Sequence, residues 1–105
     1  MTQNIAAIDK QKQGIVTDLC ALAQANPIVK KLIIFGSAAK NSCHDESDVD
    51  ICFDISADTR SRAVFSLSRE ASKICDYHCD VFFYSLLGSK MKSEIDRTGV
   101  VVYES

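Results

Sequence analysis

The sequence predicts an α/β (α+β) domain spanning residues 1–105, a mixed β-sheet flanked by helices. Two observations carry that expectation. Short apolar runs rich in β-formers stand at 32–35, 49–55, 79–84 and 100–103, and stretches with apolar residues at three- and four-residue spacing alternate with them. Strands interleaved with helices define an α/β layer architecture. The composition agrees: of 105 residues, 47% are hydrophobic and 25% charged, enough for one modest core. With 12 Lys+Arg against 14 Asp+Glu the formal net charge is −2, which argues against a general electrostatic grip on nucleic acid.

Each element has its own signal. Ile5, Ile8, Ile15, Val16, Leu19, Cys20, Leu22 and Ala23 form a helical stripe, predicting a helix from Thr2 to Ala25 with Gly14 as its weak point. Asn26-Pro27 stops it, because the residue before proline avoids the α region. Leu32-Ile33-Ile34-Phe35 reads as a strand buried on both faces, ending at Gly36-Ser37. Residues 38–48 read as a helical turn and a loop, and Val49 to Ile55 as a second strand. Thr59 to Tyr77 is helical, with Asp58 or Thr59 as N-cap. Cys79 to Tyr84 is a third strand, Leu86 to Arg97 a shorter helix, and Val100 to Tyr103 a last strand. So apolar a last strand is either sheet core or an edge that pairs with another chain, which leaves a homo-oligomer open.

Nothing in the sequence reads as a secretory signal, and runs such as 32–35 and 81–84 are far shorter than the ~20 residues that span a bilayer. A cytoplasmic protein is expected. The five cysteines are odd in number and read as reduced thiols. Cys20, Cys52 and Cys75 fall at apolar positions and read as core. Cys43-His44 and the Cys75 to Cys79 segment lack zinc-ligand spacing. His44-Asp45-Glu46 reads as a solvated loop, Arg60, Arg62 and Arg69 as a solvated helix face, and Phe82, Tyr84 and Tyr103 as core or interface.

The chemistry concentrates in three places. Asp48 and Asp50 flank Val49 at the start of a predicted strand, so alternation puts both carboxylates on one face, about 7 Å apart. Alone, such a pair is most often a solvated strand entry. Asp80, ahead of Val81-Phe82-Phe83, is a costly place for a carboxylate unless it caps a turn or has a task. If the second and third strands are neighbours, the three carboxylates form one cluster able to hold Mg²⁺, the hard cation of phosphoryl transfer. Asp54 shares the face of Asp50 and either supports that cluster or is exposed at the strand end. Gly36-Ser37 allows a sharp turn whose backbone N–H groups and hydroxyl can bind phosphate. The segment is not a P-loop, since Asn41 stands where its second glycine is needed.

Taken together, Gly36-Ser37, ten residues, then Asp48-Val49-Asp50, with Asp80 heading a later strand, resemble the GS-x10-DxD signature of the polymerase-beta-type nucleotidyltransferase superfamily, above all its minimal (MNT) members. The resemblance implies the polymerase-beta-type fold and a nucleotidyl transfer in which a hydroxyl attacks the α-phosphate of ATP. It assigns two Mg²⁺ ions to Asp48 and Asp50, with Asp80 completing the site that activates the acceptor, and assigns the β- and γ-phosphates to Gly36 and Ser37. Lys40 stands where many members carry Arg and keeps the charge without the bidentate fork. Asn41 stands where they carry Gly.

At 105 residues the sequence is expected to hold no acceptor-binding domain of the kind larger members carry. The resemblance therefore implies a partner: a small helical HEPN toxin, for which this chain would be the antitoxin and AMP donor, with tyrosine as acceptor. Two other readings compete. One is a binding module that neutralises its toxin by contact alone; the other is a small-molecule transferase, which the missing second domain disfavours.

Overall fold

The computed structural model describes residues 1–36, 39 and 48–105. Its elements are α1 (Gln13–Ala25), β1 (Val29–Phe35), β2 (Val49–Ile55), α2 (Ser61–Ile74), β3 (Cys79–Phe83), α3 (Ser89–Thr98) and β4 (Val100–Glu104). The expected turn over 38–48 lies almost wholly outside the described residues. The strands form one mixed sheet in the order β3-β2-β1-β4. β1 is antiparallel to both β2 and β4, whereas β2 and β3 run parallel.

Strand alternation sorts the core onto two faces. Leu32, Ile34, Val49, Ile51, Phe53, Ile55 and Val102 pack with α1 and α2 residues including Val16, Leu19, Leu67 and Ala71. Ile33, Phe35 and Cys52 face the other way, where Ile95 of α3 and the half-buried Phe82, Tyr84 and Met91 cover them. β1 is thus buried on both sides, as its continuous apolar run predicts. Cys20, Cys52, Cys75 and Tyr103 are buried as expected.

The long first helix is a correction. Residues 5–7 form a 3-10 turn, Ile8 is extended (φ −89°, ψ 145°), and α1 starts only at Gln13. The cause is the edge of β4, whose free backbone groups need partners. Gln3 N donates to Val102 O at 2.8 Å, Glu104 N to Met1 O at 3.0 Å, and the Asn4 side chain to Val101 O at 2.9 Å. Thr2 pairs with Tyr103 in an antiparallel bridge. Ile5 and Ile8 still pack against the core, but from an irregular segment.

Two smaller differences follow the same logic of local hydrogen bonding. α2 begins at Ser61 with Arg60 as an extended N-cap, not the expected Asp58 or Thr59, and Thr59 donates instead to Ser56 O at 2.6 Å. β3 ends at Phe83, and Tyr84 enters a 3-10 turn, Tyr84–Leu86, where its hydroxyl meets the Asp96 carboxylate at 2.9 and 3.0 Å. The third helix accordingly starts at Ser89, not Leu86.

Candidate active site

The parallel pairing of β2 with β3 sets Asp50 directly opposite Asp80, with Val49 opposite Cys79 and Cys52 opposite Phe82. By alternation Asp48, Asp50 and Asp80 share the Cys52 face. The condition that the two strands be neighbours is therefore met. On the other flank of β2, Phe35 of β1 is the partner of Asp50, so Gly36, the residue after it, arrives beside the same carboxylate. Beneath it the Phe35 and Phe82 rings stand 5.5 Å apart and, with the buried Cys52, form an apolar floor.

Gly36 meets Asp50 more closely than any sequence argument indicates. Its φ is +71°, in the left-handed region that favours glycine. A Cβ built on it would lie 2.1 Å from Asp50 Oδ2 and 3.1 Å from Cγ, so the backbone rests against the carboxylate itself. Ser37 and Lys40, the other expected phosphate-binding residues, lie outside the described residues, as do Asn41, Cys43 and the 44–46 segment.

The electrostatics identify Asp50 as the strained member. Burial pushes its carboxyl pKa up, the charge of Asp80 and a hydrogen bond shared with it add to the rise, and Asp48 contributes less. Neighbouring carboxylates that resist joint ionisation are relieved by a proton or a cation. The donor set is all carboxylate oxygen, which suits Mg²⁺. Among the described residues no group of three or more His, Cys, Asp or Glu side chains is placed to hold a metal ion by itself, and the close carboxylate contact is the pair Asp50 and Asp80. An open set fits a cation whose shell is completed by water and substrate phosphate.

Sequence reasoning did not single out His78 for a role. Its carbonyl accepts from Val49 N at 3.1 Å, and its Nδ1 lies 3.7 Å from Asp48 Oδ1 in an exposed pair. It stands two residues before Asp80, the one available clue. The turn delivering it holds Asp76 and Tyr77 at φ 52° and 63°, a left-handed conformation that costs roughly 1–2 kcal/mol per residue. Asp54, by contrast, lies four residues along β2 from Asp50, about 13 Å by strand rise. Its charge raises the Cys52 and Tyr84 pKa values and is not among the causes acting on Asp50.

Comparison with known proteins follows this geometry. The family described as Polymerase beta, Nucleotidyltransferase matches residues 18–105. No curated protein matches the sequence. Among solved structures, a toxin-antitoxin complex with AMP-PNP is similar at TM-score 0.68 and 17% identity, over 88% of this chain and 73% of that one. A tri-AMPylated Shewanella oneidensis HEPN toxin in complex with its MNT antitoxin gives 0.65 and 16%, over 90% and 73%. A nucleotidyltransferase-like protein of Sulfolobus solfataricus gives 0.52 and 24%, over 95% and 83%.

Proposed function

The chain belongs to the polymerase beta nucleotidyltransferase family, and from that premise we propose that it is a minimal, Mg²⁺-dependent antitoxin that transfers AMP from ATP to a tyrosine of a HEPN-type toxin. The observation that carries the reading is the in-register pair Asp50 and Asp80, with Gly36 seated against Asp50. The similar structures supply the partner and the nucleotide: one is a toxin-antitoxin with AMP-PNP, another an AMPylated HEPN toxin bound to an MNT antitoxin.

In this reading Asp48, Asp50 and Asp80 hold the cation. When bound, Mg²⁺ supplies charge neutralisation for the triphosphate and for the leaving pyrophosphate. Asp80, on the outer strand, takes the proton of the acceptor hydroxyl. The hydroxyl oxygen forms a bond to the α-phosphorus as the bond to the β-phosphate oxygen breaks. Gly36 lets the backbone approach the β- and γ-phosphates, with Ser37 and Lys40 as the polar and cationic contacts of the same turn. In-line transfer depends on positioning and electrostatics, which rigid strands provide. The chain would work in the cytoplasm, where ATP and the toxin are both present. Among the described residues no helix is long and apolar enough to cross a membrane.

The test uses ATP labelled at the α-phosphate, Mg²⁺ and a HEPN-type protein from the same genome. Wild type is expected to label the toxin, and the Asp48→Asn/Asp50→Asn variant to give no label. Transfer surviving that double change would refute the metal assignment. A second reading, neutralisation by contact alone, draws on the neighbours in which antitoxin and toxin are held together. A stable complex without any label would favour it.

A further inference from the structure

The arginines of α2 form more than a solvated face. Arg62, Phe65, Ser66 and Arg69 recur at i, i+3, i+4 and i+7, one stripe of the helix, and together with Ser61 they line one cavity. Phe65 is 75% exposed. On its other side lies a second cavity of about 330 Å³, walled by Ile55, Val64, Phe65, Phe83 and Leu86 among others. Leu86 is 78% exposed. Phe65 thus stands as the ridge of a groove, between a largely apolar cavity on one side and, on the other, one lined by two serines and two guanidinium groups. No Asp or Glu among the described residues lines either cavity. Among the described residues, neither Arg62 nor Arg69 makes an ion pair.

The groove lies apart from the carboxylates. β2 and β3 are parallel, so Asp50 and Asp80, each second in its strand, lie at one end and Ile55 and Phe83, the last residues, lie at the groove. Five residues separate Asp50 from Ile55, about 17 Å of strand. Three residues separate Asp80 from Phe83, about 10 Å, so a partner seated here must extend back along the strands to bring its acceptor hydroxyl to the carboxylates.

We propose that this groove is the docking surface for the HEPN-type partner, taking an amphipathic helix whose apolar side chains cover Phe65 and Leu86 and whose carboxylates meet Arg62 and Arg69. The inference rests on the partner named under the proposed function. Charge complementarity selects the occupant. A second copy of this chain is a poor one, because a two-fold contact would set each Arg62–Arg69 stripe against its own image. An acidic helix satisfies both the guanidinium groups and the exposed ridge, the helix-in-groove mode of recognition. Phe and Arg are also suited to anchor such a contact, one by buried area and the other by bidentate pairing with carboxylates.

The test compares wild type with Phe65→Glu, Arg62→Glu/Arg69→Glu and the conservative Arg62→Lys/Arg69→Lys, against a HEPN-type protein from the same genome. All three positions are exposed, so thermal unfolding is expected to match wild type. Affinity measured by calorimetry should fall at least about tenfold for each Glu variant, with most of it kept by the Lys variant. The KM for the protein acceptor should rise in step, while the KM for ATP and the rate at saturating acceptor stay unchanged. Wild-type affinity in both Glu variants would overturn this surface and leave the partner reading standing. Failure of wild type itself to bind would overturn both. A wild-type dimer dissolved by Phe65→Glu would overturn the proposal in favour of self-association.

Discussion

Gly36 answers to two demands at once, a left-handed backbone and a carboxylate in the space a side chain would take. Replacing it with Ala costs roughly 1 kcal/mol for the conformation and, at 2.1 Å, forces Asp50 to move. Displacement of a positioned catalytic group by an ångström costs about 10²-fold. Gly36→Ala is expected to lose transfer by about that factor while lowering the melting temperature only modestly; full activity would show that transfer does not depend on the position of Asp50. The thiols give a second expectation at this scale. Burial pushes Cys52 and Cys75 up to about 12, with Asp54 and Asp96 adding at Cys52 and Cys79 at Cys75. At pH 8 about one part in ten thousand of each is thiolate, the reactive form. Mass mapping after iodoacetamide at pH 8 should therefore find Cys52 and Cys75 unmodified in the native protein and modified once it is unfolded. The sign for stability follows: the folded thiols hold their protons above the ordinary value of 9.0, so stability is full below pH 9 and falls as pH rises towards 12.

At the level of elements, the strands were legible because each couples β-forming residues to abrupt ends, and β2 announces its polarity through Asp48 and Asp50. The helix over residues 2–25 was misread in its first half for a physical reason. Ile8 is buried and Ile5 partly so, which gives them their helical spacing, but the segment that carries them is held by pairing with β4, a partner about a hundred residues away in sequence. The site divides the same way. Its carboxylates could be listed from the chain, but the opposition of Asp50 to Asp80 depends on the β2–β3 register. The contact with Gly36 and the approach of His78 to Asp48 depend on tertiary placement that no spacing encodes. The junction of α3 with β4 shows how tightly such placement is held. Gly99 N donates to Ile95 O at 2.7 Å, and a Cβ on Gly99 would stand 2.6 Å from both that oxygen and Ile33 Cγ2. Gly99→Ala is therefore expected to destabilise by about 1–3 kcal/mol, the usual cost of overpacking, read as a shifted denaturant midpoint with unchanged slope. No shift would mean that α3 slides freely over β1.

For the whole molecule, the carboxylate cluster sets function against stability. Burial, Asp80 and Asp48 all raise the pKa of Asp50, so the cation-free fold favours its neutral form. The sign is then fixed. Stability from this group is full below the ordinary carboxylate value of 3.8 and is lost as pH rises through the elevated one. Once pH has risen past that elevated value the cation-free protein carries the loss, and anything that neutralises Asp50 should recover it. Asp50→Asn does so covalently and keeps the size of the side chain; Mg²⁺ does so by binding the folded state. In chelator at pH 7, Asp50→Asn is expected to melt above wild type. Adding Mg²⁺ should raise wild type towards the variant and leave the variant nearly unmoved, although only wild type transfers AMP. If instead the variant melts lower in chelator, Asp50 is held by contacts worth more than its repulsion, and the cluster is a structural network. Equal responses to Mg²⁺ in both proteins would place the cation elsewhere on a surface whose net charge is −2.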